Sequence, residues 1–132
     1  MNKTALIIFS VGVVIAGIIF FSARKNPNIG NSSDTPVQNV EIEDGIQYIT
    51  IQAKGGYTPR VSTAQAGIPT KLIVKTNGTY DCSAALVIKS ANFQKILEQT
   101  GEEIIDVGTP KSGEPLRGVC GMGMYSFLVN FQ

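Results

Sequence analysis

From about Gly45 to the C-terminus, apolar positions alternate with polar ones at period two, and clusters of Gly, Pro, Asn and Ser interrupt the alternation. Side chains on a strand point to opposite faces in turn, so this pattern predicts short antiparallel strands, each with one buried face. The predicted fold class is all-β, a sandwich or barrel.

The first strand is expected over Ile46 to Ala53, where Ile49 and Ile51 are β-branched, followed by a turn at Lys54-Gly55-Gly56-Tyr57-Thr58-Pro59. Two glycines there permit positive φ, and Pro59 breaks strand pairing. Further strands are predicted over Val61 to Gln65, Thr70 to Thr76, Ala84 to Lys89, Glu103 to Val107, Leu116 to Val119 and Tyr125 to Phe131. Asn77-Gly78 reads as a hairpin-type turn. Ser90 to Glu98, containing Phe93, Ile96 and Leu97, reads as a short helical turn or an irregular crossover. In the last strand Tyr125, Phe127, Val129 and Phe131 share one parity and are expected to face the same way.

Ahead of this region the pattern changes twice. Ala5 to Phe21 is a run of 17 residues without a charge. As a helix it would extend roughly 25 Å, enough to cross a thin hydrocarbon core. Phe21 stands where a signal-peptidase site would want a small residue, so residues 1–25 are expected to remain as a single transmembrane signal anchor. Asn26 to Asp44 is rich in Asn, Ser, Pro and Asp, the composition of a flexible tether. The domain proper is then residues 45–132. It is expected to sit outside the cytoplasmic membrane, although Arg24 and Lys25 against Lys3 slightly favour the reverse orientation by the positive-inside count.

Composition narrows the chemistry. The net charge is +1 and no basic stripe runs through residues 45–132, so nucleic acid is not an expected partner. The chain has no histidine, two cysteines (Cys82 and Cys120) and three methionines, two of which stand beside Cys120 in the run Cys120-Gly121-Met122-Gly123-Met124. Without imidazole, a conventional zinc, non-haem iron or Cu(II) site is hard to build, whereas thiolate and thioether sulfur suit Cu(I). The alternative is packing, since methionine fills irregular gaps in cores and a free cysteine behaves as a small hydrophobe. Gly121 and Gly123 favour the first reading, because they contribute no packing and let the backbone turn sharply.

Nucleophilic catalysis by Cys120 lacks its usual histidine base, and no Cys-x-x-Cys pair exists for a thioredoxin-like reductase. Glu102, Glu103 and Asp106 read as a solvated acidic face. An enzyme is therefore not expected.

The chain resembles the cupredoxins, in particular the small membrane-tethered cupredoxin-like domains of bacteria. The resemblance spans roughly Tyr48 to Gln132 and is carried by GGYTPR (Gly55 to Arg60), AGIPTKLIVKTN (Ala66 to Asn77), Asp81-Cys82-Ser83 and CGMGMY (Cys120 to Tyr125). It implies a Greek-key β-sandwich that binds one copper ion at one end, with ligands from the loop between the last two strands and from an upstream connection. Blue-copper members use two histidines, a cysteine and an axial methionine. Here the matching positions are Cys120 at the ligand-loop cysteine and Met122 or Met124 further along the loop, with Cys82 near the upstream ligand, so that Cys82, Cys120 and one or both methionines would give three or four sulfur ligands.

Loss of both imidazoles shifts the expectation from electron transfer at a blue site to capture, storage or handover of Cu(I), with a copper-donor or copper-acceptor protein as partner. Two alternatives stay open. One is an electron-transfer cupredoxin. The other is a metal-free structural or interaction sandwich in which a disulfide between Cys82 and Cys120 closes a loop of about 38 residues, stabilising by about 4 kcal/mol in the chain-entropy picture.

Overall fold

The computed structural model describes residues 38–132. The predicted anchor at 1–25 and the tether up to residue 37 lie outside the described residues. Ten strands follow in order: β1 (Val40–Glu43), β2 (Ile46–Ala53), β3 (Tyr57–Thr58), β4 (Val61–Ala64), β5 (Thr70–Asn77), β6 (Ala85–Ile88), β7 (Phe93–Ile96), β8 (Thr100–Gly108), β9 (Leu116–Cys120) and β10 (Ser126–Phe131). Short 3-10 turns stand at Cys82–Ala84 and Lys89–Ala91. Among the described residues no helix is long and apolar enough to cross a membrane.

The strands form two sheets. One runs β1-β2-β5-β8 with β3 on the end of β2, the other β4-β10-β9-β6-β7. β2 pairs parallel with β5, and β4 parallel with β10; the remaining pairs are antiparallel. Parallel neighbours cannot be joined by a tight hairpin, so the chain must cross between the sheets. Ile49, Ile51, Leu72 and Val74 from the first sheet meet Leu86, Ile88, Phe127 and Val129 from the second in one buried cluster. This is a β-sandwich with its core between two layers.

Two expectations need correction, and a third holds only in part. The segment read as tether up to Asp44 contains β1, whose Val40 lies opposite Ile49 and packs against the core. Val-Glu-Ile-Glu alternates as a strand should, but its polar surroundings hide it, and the free flank of β2 supplies the partner. Asn77-Gly78 does not close a hairpin: Gly78 has φ +62°, and the next strand, β6, belongs to the opposite sheet. Ser90 to Glu98, read as a short helical turn or an irregular crossover, divides: a 3-10 turn at Lys89–Ala91 bears out the first part, and Phe93–Ile96 is β7, which pairs antiparallel with β6 in the register Ala85↔Ile96.

The parity expected of the last strand holds. Phe127, Val129 and Phe131 are buried, and Tyr125 packs partly against the core. Phe127 lies opposite Gly118 on β9, and its ring occupies the space that a side chain at position 118 would need. Thus β9 and β10 are locked in register right up to the turn that follows Cys120.

Candidate metal centre

Cys120 is the last residue of β9, and the turn after it is held by its own backbone. Cys120 N–H donates to the Tyr125 carbonyl at 2.9 Å, and Gly123 N–H donates to the Cys120 carbonyl at 2.8 Å. Gly123 has φ +72°, a conformation that costs a residue with a Cβ but not glycine. Gly121 N–H donates to the Ala85 carbonyl at 2.7 Å, tying the turn to β6. The Tyr125 N–H points at Cys120 Sγ, 3.3 Å away. That sulfur therefore has one fixed donor. Cys120 is only 1% exposed.

Cys82 comes from the first residue of a 3-10 turn capped by Asp81, whose carboxylate accepts from Ser83 N–H at 2.9 Å. The same carboxylate accepts from Ser83 Oγ and, at 2.9 Å, from Gly55 N–H. Tyr57 Oη donates to the Ser83 carbonyl at 3.1 Å, and the Tyr57 ring meets Phe127 edge to face with centroids 5.1 Å apart. Gly56, at φ +123°, leaves room for the Tyr125 ring; a Cβ there would touch it at 3.5 Å.

Three motifs far apart in sequence are knitted together by these contacts. Gly55 and Tyr57 hold the Asp81-Cys82-Ser83 turn, Gly56 borders Tyr125, and Cys82 meets Cys120. The structure pairs the two cysteine sulfurs, with Cα atoms 5.8 Å apart and 38 positions between them in sequence. Met122 and Met124 lie two and four residues beyond Cys120 and are 74% and 63% exposed. Core packing therefore does not account for the methionines. Of the four predicted site residues, the two cysteines are brought together, and the thioethers stand on the solvent side of the adjoining turn.

Tyr57, Asp81 and Ser83 were not singled out individually by sequence reasoning. The only hint was their place in the GGYTPR and Asp-Cys-Ser runs, because their function is to hold Cys82 rather than to present chemistry of their own. Burial, assisted by the Asp81 charge, pushes the Tyr57 hydroxyl up to about 12, so it remains a donor throughout the physiological range. The hydrogen bonds from Ser83 and Gly55 hold the Asp81 carboxyl down at about 2, against an ordinary 3.8.

A depressed carboxyl contributes stability that is present above its unfolded value and lost as pH falls through its folded one. The window here runs from about pH 4 down to about pH 2. Asp81→Asn is expected to lower stability at neutral pH by about 1 kcal/mol, the usual worth of a solvent-screened capping carboxylate. The difference from wild type should shrink as pH falls through that window. Denaturant melts at pH 7, 4 and 2.5 test this; a difference that does not change with pH would remove Asp81 as the anchor of the Cys82 turn.

Among the described residues, no group of three or more His, Cys, Asp and Glu side chains converges. The soft donors at this end of the sandwich are the two cysteine sulfurs, with the Asp81 carboxylate on the turn that carries Cys82. Reduced, Cys82 and Cys120 supply two thiolates that suit a soft monovalent ion, with thioethers one short turn away. Glu102, Glu103 and Asp106 stand elsewhere, on β8, with Glu102 near Lys75 at 3.7 Å and Glu103 on Lys95 at 2.9 Å, as a solvated acidic face would.

A family model described as a cupredoxin-like domain matches residues 12–129. Among solved structures, the metal-binding domain of the Cu(I)-exporting P-type ATPase CopA from Streptococcus pneumoniae D39, determined with Cu(I), is 26% identical and superimposes with a TM-score of 0.61, over 70% of this chain and 92% of that one. A copper binding protein whose apo form was solved by NMR is 21% identical, with a TM-score of 0.63 over 72% of this chain and 96% of that one, and shares the fold. No curated protein matches the sequence.

Proposed function

The chain belongs to the cupredoxin-like domain family, and from that premise we propose that it binds copper as Cu(I) through Cys82 and Cys120, with Met122 and Met124 completing the site. The reading rests chiefly on one observation: the two cysteines of the chain meet at the end of the sandwich that also carries an exposed Met pair. The copper-loaded state of the CopA domain supports the same cargo. Copper is handled as cargo, by capture, storage or handover to a protein partner, and no catalytic role is assigned. The apolar N-terminal run supports a single-pass anchor in the cytoplasmic membrane, and the same reading puts the sandwich on its outer side against the slight preference of the flanking charges.

Burial and charge favour a soft, monovalent ion. Cys120 is enclosed and takes an N–H donor at its sulfur, which stabilises a thiolate, and each ligating cysteine must lose its proton as the metal enters. The exposed methionines offer an approach from solvent. Their neutral thioethers add affinity for Cu(I) without the cost of burying more charge.

Exposure also makes the methionines testable without harm to the fold. Changing both Met122 and Met124 to Leu is expected to weaken Cu(I) binding by about tenfold or more, within the range seen when supporting groups around a metal are lost. The melting transition should stay within about 0.5 kcal/mol of wild type, as for other surface changes. Competition against a chromophoric Cu(I) chelator, on reduced chain kept free of oxygen, measures this. Unchanged affinity removes the methionines from the site.

A second reading has its own support. Paired sulfurs at Cys82 and Cys120 are also what a stapled, metal-free sandwich would show. Such a staple leaves the solvent-facing Met122 and Met124 without a role.

A further inference from the structure

The two paired cysteines differ in what surrounds them. Cys120 is 1% exposed, closed in by β6 and β10, and its sulfur takes the Tyr125 N–H at 3.3 Å. Cys82 is half-buried, on a 3-10 turn outside the strands, and no hydrogen bond reaches its sulfur among the described residues. Exchange with a thiol requires the incoming thiolate to approach one sulfur from the side opposite its partner and to expel the other as a thiolate. Access and leaving-group stabilisation point the same way.

We propose that the Cys82–Cys120 pair is a thiol-exchange site of fixed polarity, attacked by thiol reductants at Cys82 and releasing Cys120. In the first step the thiolate of a reductant RSH forms an RS–S bond with Cys82, the bond between Cys82 and Cys120 breaks, and its electron pair leaves on Cys120, where the Tyr125 N–H holds it. In the second step another RS− attacks the RS sulfur, giving RS–SR and the Cys82 thiolate. Two thiols are oxidised, one disulfide is reduced, and the two protons the reductants lose match those the cysteines gain.

The consequence for cargo rests on the copper reading above. The same two sulfurs cannot be bonded to each other and also bind Cu(I), so the oxidised chain refuses copper and a thiol reductant opens the site. Cys120, freed first, stands on the same turn as Met122 and Met124. The first half-step therefore already creates a thiolate two and four positions in sequence from two thioethers.

Polarity is read directly by mass. Lys89 and Arg117 separate the two cysteines, so trypsin puts them on different peptides. Oxidised full chain treated briefly with limiting glutathione and quenched in acid should carry the glutathione adduct on the Cys82 peptide, at least tenfold over the Cys120 peptide. In single-cysteine variants, an aromatic disulfide reagent should modify the thiol left by Cys120→Ser at least tenfold faster than the thiol left by Cys82→Ser. Adducts on Cys120, or an even mixture, overturn the proposal, as does equal reactivity of the two variants.

Copper loading separates this inference from the reading it rests on. Cu(I) bound by the reduced chain and refused by the oxidised one supports gating, and equal binding by both forms overturns it. A reduced chain that binds no Cu(I) removes the copper reading, while the site of the glutathione adduct still decides the polarity.

Discussion

Cys120→Ser is expected to lower Cu(I) affinity of the reduced chain by more than about a hundredfold, beyond the 10- to 100-fold typical of groups that merely orient a ligand. The sulfur at this position is enclosed, stands at the end of a strand and is given a backbone donor by Tyr125. A hydroxyl does not ionise at neutral pH and is a hard donor, so it replaces neither the charge nor the softness. The measurement belongs under reducing conditions, where neither protein carries a bridge and loss of a disulfide cannot pass for loss of a ligand. Burying a serine costs stability, so circular dichroism must first show a folded chain, with Cys120→Ala as a second variant that leaves no unsatisfied hydroxyl. A loss smaller than about tenfold in both variants removes Cys120 from the site.

Gly118→Ala is expected to be the most damaging single-methyl change in the sandwich. An alanine Cβ would come within 2.9 Å of Phe127 Cδ1 and nearer still to Cε1 and Cζ. The ring has little room to retreat, because Phe127 is 1% exposed and is wedged edge-on against Tyr57. Forcing atoms into a packed core costs about 1–3 kcal/mol and sometimes more. We expect about 3 kcal/mol here, which for a domain of this size lowers the melting temperature by roughly 12–24 °C.

The damage should reach the cysteines. Phe127 supports Tyr57, and Tyr57 holds the turn that carries Cys82. Adding Phe127→Leu to Gly118→Ala should restore part of the stability by making space. If Gly118→Ala alone melts within about 0.5 kcal/mol of wild type, the ring does not hold the two strands as described.

Much of this fold was legible in the sequence because strands with one buried face write their alternation plainly. β2, β5, β9 and β10 fall within a residue or two of their expected limits. Three strands escaped: β3, two residues inside the turn expected at 54–59, and β1 and β7, whose stability comes from a partner rather than from their own pattern. β1 is mostly exposed and depends on the free flank of β2, and β7 leaves only Phe93 partly buried and depends on β6.

The candidate site divides in the same way. Sulfur chemistry is visible as residue types, so Cys82, Cys120, Met122 and Met124 could be named at once. Asp81, Ser83 and Tyr57 could not, since their contribution is a set of hydrogen bonds across 26 positions of sequence that only the fold reveals. Gly118 was equally silent. A glycine in a strand does not announce which ring it makes room for.

The most direct test is copper K-edge X-ray absorption on the reduced chain after loading with Cu(I) and removal of loosely held metal. A coordination sphere of sulfur alone, with Cys82 and Cys120 supplying two of at least three scatterers, is the predicted result. Nitrogen or oxygen neighbours at the metal, or a reduced chain that retains no copper, would contradict a sulfur-only site at this end of the sandwich.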